Sequence, residues 1–340
     1  MVERSPVAYG EFTMAFELKA ETISTLQQYY KKEELDLNWP HVFVLPVWLQ
    51  SWWEAFGQEY RLWLRSIWQE GALIGLAPLM VKGGEARLIG SADVCDYLDF
   101  ITIPGREKAF FQALVPALQK AGFKNLILEA QRPEAVFFKA LAEIEHHSSI
   151  PAKIDFIREN EAFEVALPHT WEDYLALLSK KQRHEVKRKL RRLDREAPHY
   201  GYQVIAESEE VQKFVPTFLT LLQEHPDKAE FLTPQMEQYF KGLIDNMSQA
   251  GLARFGLFKI DGFNAAAVLY FDYGGRIYLF NSGYITRYRP LSAGLISKLL
   301  LINEAISQGR QVYDFLKGRE VYKSRLGGTG IPIFKVELQF

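Results

Sequence analysis

The chain has 340 residues, 48% of them hydrophobic and 24% charged, and a formal net charge of −2 at pH 7. The length suits two domains or one large one, the composition excludes a disordered chain, and near-neutrality excludes a general polyanion binder, so a nucleic-acid contact needs a local patch. A single cysteine, Cys95, excludes an internal disulfide and a thiolate metal cluster.

Glu3, Arg4, Glu11 and Glu17 interrupt the N-terminal stretch, and no run reaches the roughly 18 apolar residues of a membrane span. A cytoplasmic protein without a resident metal is expected. Residues 22–37 carry Ile23, Leu26 and Tyr30 on one face and read as an amphipathic helix. Pro46–Phe56 spaces Trp48, Trp52 and Phe56 by four, as a helix does that packs aromatics into a core. A strand, a Glu70-Gly71 turn, a second strand, Gly83-Gly84 and a third strand follow. Next come a loop with Asp93, Asp96 and Asp99, a helix ending at Gly122, and the strand NLILEA.

Pro133–Glu145 reads as a helix with His146-His147 at its end, where no further metal ligands lie nearby. Phe163–Leu167 is a strand joining two halves. Thr170–Ala197 is expected as one helix, with Thr170 as N-cap and Trp171, Leu175, Leu178, Val186, Leu190 and Leu193 as its apolar stripe. Its stretch from Lys180 to Arg195 has nine Lys or Arg against two acids, so it is either a solvated face or an anion site. Lys180, Arg183 and Arg188 are its candidates for substrate contact. Ser208–Glu224 and Thr233–Gln249 are two further helices, the second opened by Thr233-Pro234.

The order then repeats. An Asp261-Gly262 turn joins two strands, Gly274-Gly275 precedes a third, and a helix ends at Gly309 before QVYDFL. Gly262 follows Gly71 at the interval by which Gly275 follows Gly84. The fold class is α/β (α+β), in two tandem domains of mixed sheet flanked by helices, with boundaries at 1–160 and 161–340.

The copies differ in their third-strand loop. The first carries three aspartates, which repel a phosphate. The second, Asn281–Ala293, carries Arg287 and Arg289 and no acid. It leads through Ser292-Ala293-Gly294-Leu295 into a helix whose Leu295, Leu299, Ile302 and Ile306 form a stripe. Free N–H groups and the dipole at such a start suit a phosphate or diphosphate, and the small residues allow close approach. Past the last core strand, Lys317, Arg319, Glu320, Lys323 and Arg325 cluster where open α/β sheets place ligands. There Glu320 or Asp314 is a candidate base and Tyr284 or Tyr322 a candidate acid. For Asp314 the alternative is a buried ion pair with Lys323 or Arg325. Asp96 and Asp99 are expected on the other wall of the cleft.

SWWEAFG (51–57), FNSGY (280–284), Ser292-Ala293-Gly294 and YDFLKGREVYKSR (313–325) resemble the CelD/BcsL-type acetyltransferases, and so does the basic helix after its Leu-Pro-x-Thr-Trp start. These are proteins of the GNAT superfamily with two tandem domains, laid out like the FemAB peptidyltransferases. The resemblance implies an acyl-CoA-dependent N- or O-acyltransferase, often linked to cell-surface polysaccharide, with residues 292–295 facing the cofactor's diphosphate. It implies a small-molecule or glycan-precursor acceptor between the domains, which the basic helix would grip by its own diphosphate. The chain departs from the family in lacking the first glycine of the usual diphosphate loop in Arg289–Gly294, and in having Ala293 and Leu326 where proline and an aromatic are common. Two alternatives stand beside this: a FemAB-type aminoacyl-tRNA-dependent transferase, carried by the basic helix, and a non-catalytic binding protein that keeps the fold.

Overall fold

A computed structural model describes residues 15–144 and 153–340. Within them lie the strands β1 (Phe16–Ala20), β2 (Arg61–Gln69), β3 (Ala72–Lys82), β4 (Glu85–Leu88), β5 (Ile101–Thr102), β6 (Asn125–Gln131), β7 (Lys153–Ala166), β8 (Tyr200–Ile205), β9 (Ala253–Ile260), β10 (Phe263–Tyr273), β11 (Arg276–Tyr284), β12 (Val312–Lys317) and β13 (Thr329–Gln339). The helices are α1 (Ile23–Tyr30), α2 (Pro46–Phe56), α3 (Glu107–Lys120), α4 (Val136–Ile144), α5 (Trp171–Leu177), α6 (Lys180–Glu196), α7 (Ser208–Gln223), α8 (Pro226–Phe231), α9 (Pro234–Gln249), α10 (Ala293–Ser307) and α11 (Val321–Arg325). His146 and His147 lie outside the described residues.

All strands join one mixed sheet in the order β1-β2-β3-β4-β6-β13-β7-β12-β11-β10-β9-β8, with β5 paired to β3. The repeat is visible in the pairing. In the first half β2 and β3 are antiparallel and β4 runs parallel to β6; in the second, β9 and β10 are antiparallel and β11 runs parallel to β12. Both hairpins turn with positive φ at both central residues, 51° and 82° at Glu70-Gly71 and 49° and 80° at Asp261-Gly262. That is the turn whose twist matches its flanking strands. The halves interlock, because β13 from the far end of the sequence lies between β6 and β7 and pairs antiparallel with both.

Alternation along β9 assigns the faces of the second half. Phe258 and Ile260 pack with α10, α5 and α6, while Phe255 and Leu257 pack with α7 and α9. Trp48 and Trp52 of α2 are buried, the first donating to Cys95 Sγ at 3.3 Å, so these aromatics are core.

Elements differ from expectation in several places, β7 among them, which begins at Lys153 and not at Phe163. The amphipathic stretch at 22–37 yields only α1, followed by a short 3-10 turn at Glu33–Leu35. The helix expected over 170–197 breaks at Leu178, whose ψ of 145° is extended, and Ser179 recaps α6 by accepting from Gln182 N at 3.3 Å. The third strand of the second half runs on to Tyr284 rather than ending at Phe280.

That extension shapes the site. Against β10, Leu269 pairs with Asn281 and Tyr270 with Leu279, which leaves Phe280 as a bulge. On its other side β11 pairs with β12 only from Arg276–Tyr278 to Val312–Asp314. Beyond these pairs the ladder stops, and a gap opens between the C-terminal ends of two parallel strands.

Candidate active site

A cavity of about 460 Å³ occupies that gap. Ser282 and Tyr284 line it from β11, Ala293, Gly294 and Lys298 from α10, Glu320 and Tyr322 from the segment after β12, and His225 and Lys228 from around the start of α8. A groove of about 710 Å³ lies beside it, against α6, with Lys181, His184, Arg188, Lys189, Arg191 and Arg325 on its wall. Ser292, Leu295 and Tyr322 line both, so the two spaces are contiguous.

The start of α10 separates them. Ser292 is left-handed, φ 61° and ψ 37°, and its carbonyl accepts from Leu295 N and Ile296 N, each at 2.9 Å. The amides of Ala293 and Gly294 have no partner among the described residues. Ala293 is wholly buried, so of these two donors at the helix start it is the half-buried Gly294 amide that faces the cavity, an anion-binding arrangement. Charge converges on them. Lys189 Nζ donates to Ser292 Oγ at 2.7 Å, Arg192 Nη1 to the Pro290 carbonyl at 2.9 Å, and Arg289 lines the cavity. Arg287 instead stacks over Tyr288, 4.6 Å from its centroid, and lines neither space.

Deeper in, Lys298 is buried and donates to Ser282 Oγ at 2.9 Å and to the Gly294 carbonyl at 2.8 Å. Lys228 donates to Asn281 Oδ1 at 2.8 Å and to the Ser282 carbonyl. Burial lowers both, Lys298 to about 7, with Lys228 its second cause, and Lys228 to about 8. His225 sits against Tyr284, ring centroids 4.3 Å apart, and burial lowers its pKa too; its Nε2 is buried without a partner among the described residues.

The remaining candidates are distributed as follows. Glu320 lines the cavity, half exposed, with Oε2 3.1 Å from Lys323 Nζ. Lys323 itself is buried and donates to the Leu316 and Lys317 carbonyls, so it holds the segment after β12 and leaves substrate contact to others. Asp314 is wholly buried and lines neither space. It accepts from Tyr97 Oη at 2.8 Å and Leu316 N at 2.9 Å, and lies 3.4 Å from both Arg132 and Arg276. This is the buried ion pair, made with Arg132 and Arg276 in place of the expected Lys323 or Arg325, and an acceptor has no access to it.

Asp99 is buried and accepts from Phe100 N and Val136 N, at 2.8 and 3.0 Å, so it fixes backbone at the start of α4. Asp96 accepts from Lys317 N at 2.8 Å and ties the first-half loop to the end of β12. Neither lines the cavity at α10. Arg183 donates to the Ala176 and Leu178 carbonyls, bracing the α5–α6 break, and Lys180 stands exposed outside both spaces. Arg188 and Arg325 line the groove, Arg188 bound to Glu185 at 2.8 Å.

Sequence reading missed Lys189, His225, Lys228, Ser282 and Lys298. One signal was present for Lys298. It falls three residues after Leu295 and four before Ile302, a lone lysine on a stripe otherwise apolar.

Residues 180–324 match the family model described as an acetyltransferase (GNAT) domain. Among solved structures, FemX superposes with a TM-score of 0.63 at 12% identity, over 94% of this chain and 96% of that one. A conserved protein of unknown function from Bacteroides thetaiotaomicron gives 0.57 at 10%, over 96% and 100%. The C-terminal domain of a protein named as a lysylphosphatidylglycerol synthetase, from Agrobacterium fabrum, gives 0.54 at 10%, over 86% of each. Identities this low speak to the fold alone. No curated protein matches the chain. Fold and domain together define the class as an acyltransferase. A GNAT domain implies an acyl-CoA co-substrate, and the free amides of Ala293 and Gly294, with Lys189 and Arg289 beside them, fit its diphosphate.

Proposed function

We propose that the chain is a cytoplasmic acyl-CoA-dependent N- or O-acyltransferase of the CelD/BcsL kind, acting on a cell-surface polysaccharide precursor or a similar small acceptor. Residues 161–340 form the half that holds the donor, and residues 1–160 form a partner half without a cofactor site. The observation that carries this reading is the start of α10, where the Gly294 amide has no partner among the described residues and faces the mouth of a gap between parallel strands, with the Ala293 amide unpartnered just beneath it. Those amides, with Arg289 and Lys189, would hold the diphosphate. The gap between β11 and β12 has room for the thiol-bearing arm, which supplies the activated acyl group. Orientation of both substrates in one gap supplies the proximity term. Tyr284 and Glu320 line the cavity on the side where the acceptor would enter.

The test is calorimetric titration with acetyl-CoA. Gly294→Asp puts a carboxylate among the anion's donors, and its Cβ would meet Tyr284 Cδ1 at 2.8 Å. Micromolar binding by the native protein, weakened at least tenfold in the variant with unchanged circular dichroism, is the expected result. Absent or unchanged binding overturns the reading.

The groove along α6 favours one second reading, an aminoacyl-tRNA donor, because Lys181, Arg188, Arg191 and Arg325 line a predominantly basic wall, in which Glu185 pairs with Arg188. The FemX fold is compatible with it. Salt-dependent tRNA binding that collapses on neutralising Arg188, Arg191 and Arg192 would select this reading over the first.

A further inference from the structure

Two lysines reach the cavity at α10 with no carboxylate within ion-pairing distance of either among the described residues. Lys298 comes from the second turn of α10 and Lys228 from α8, and they converge on one residue, Ser282: Lys298 on its hydroxyl and Lys228 on its carbonyl. Two uncompensated ammonium groups this close, both withdrawn from water, oppose each other.

Burial decides which lysine gives way, since Lys298 is buried and Lys228 only partly so, and the hydrogen bonds of Lys298 are compatible with the free amine. A protonated lysine has three donors and a neutral one has two. Lys298 has two oxygen acceptors, Ser282 Oγ and the Gly294 carbonyl. The neutral amine satisfies both and keeps a lone pair for the cavity. The titratable and charged groups facing it are Lys228 from α8, Glu320 ahead of α11, Lys323 and Tyr322 on α11, and His225 before α8. Of these, Glu320 and the face of the Tyr322 ring, 5.0 Å from Nζ, favour the ammonium form; Glu320 is committed to Lys323 at 3.1 Å, and the ring's pull on a cation is modest.

We infer that Lys298 is the group that takes the proton from the acceptor as the acyl group is transferred. This rests on the reading of the cavity as the acyl-CoA site. The acceptor's N–H or O–H gives its proton to Lys298 Nζ as its heteroatom bonds the acyl carbon. The carbon–sulfur bond then breaks with its electron pair on sulfur, and Lys298 returns the proton to the thiolate. Lys298 ends as it began. Glu320, half exposed and ion-paired, is left to face the acceptor without carrying the proton. Lys228 is a positioning residue, since its charge adds to burial, the larger cause, in keeping Lys298 neutral.

The experiment follows the lysine side chains directly, by carbon NMR of the full chain labelled at lysine Cε and titrated from pH 5 to 11. The Lys298→Met spectrum assigns the resonance. A Lys298 midpoint about three pH units below the bulk of the lysines, moved upward in Lys228→Met, is expected; a midpoint with the bulk overturns the inference. The second readout is release of CoA thiol from acetyl-CoA with water as acceptor. Lys298→Met is expected to lose this at least 100-fold, with acetyl-CoA affinity within threefold of native, while Glu320→Gln loses less than tenfold. Hydrolysis retained within threefold in Lys298→Met overturns the role. If native protein fails to bind acetyl-CoA, the donor reading fails, and the NMR midpoint still decides whether Lys298 is held as a free amine.

Discussion

Asp314 sits where the two halves of the molecule meet, and Asp314→Asn separates its structural role from a catalytic one. Its carboxylate is wholly buried, accepts from Tyr97 Oη and Leu316 N, and lies between Arg132 and Arg276, with Glu164 as the other acid of the cluster. Tyr97 and Arg132 come from the first half, the others from the second. Asparagine keeps the shape and one acceptor but removes a charge, leaving Arg132 and Arg276 to share Glu164, with Glu134 on the outer side of Arg132. Breaking such a buried pair costs about 3–5 kcal/mol, and the surviving Glu164 argues for the low end, about 3 kcal/mol. For a chain of this size that lowers Tm by roughly 4 °C. Scanning calorimetry measures it, with Tyr97→Phe completing a double-mutant cycle in which a coupling near 1 kcal/mol is expected. Acetyl-CoA affinity should stay within threefold. An unchanged Tm with activity abolished would refute the reasoning and return Asp314 to the list of bases.

Three further outcomes follow from the same geometry. Lys298 titrates at about 7 in the folded chain and near 10.4 when unfolded, so the unfolded chain binds more protons between those values and stability rises with pH across them. Lys298→Met should therefore stabilise the protein by a few kcal/mol at pH 7, with the gain shrinking toward pH 10; urea melts at the two pH values check this. Lys189→Ala and Arg289→Ala should each weaken acetyl-CoA about five- to tenfold and flatten its salt dependence, read by calorimetry at two ionic strengths. Ser179→Ala removes the cap that restarts α6 and should cost about 1 kcal/mol by denaturant melt.

Much of the frame was legible because local chemistry dictates it. Glu70-Gly71 and Asp261-Gly262 can take the doubly positive φ of a tight hairpin turn, and both do. The interval between them makes the duplication visible in the sequence alone. The small residues at 292–294 marked the start of α10 for the reasons that leave its amides free. What stayed hidden depends on contacts distant in sequence. Lys228 belongs to the site only because α8 packs beside β11, and nothing near residue 228 signals that. The strand β13 lies between β6 and β7, a pairing no local pattern encodes. The sequence allows Asp314 a buried ion pair, but its partners Arg132 and Arg276 are remote in the chain, and local order points to the nearer Lys323 or Arg325. The helix break at Leu178-Ser179 escaped notice because the apolar stripe runs through it uninterrupted.

The central claim is that the donor's diphosphate rests on the start of α10 in the second half of the chain. A crystal structure of the protein grown with acetyl-CoA tests it most directly. The account predicts diphosphate oxygens within hydrogen-bond distance of the Ala293 and Gly294 amides, with the thioester in the gap between β11 and β12 beside Lys298. Density for the donor against the first-half loop near Asp96, or an α10 start that stays bare at saturating acetyl-CoA, would contradict it.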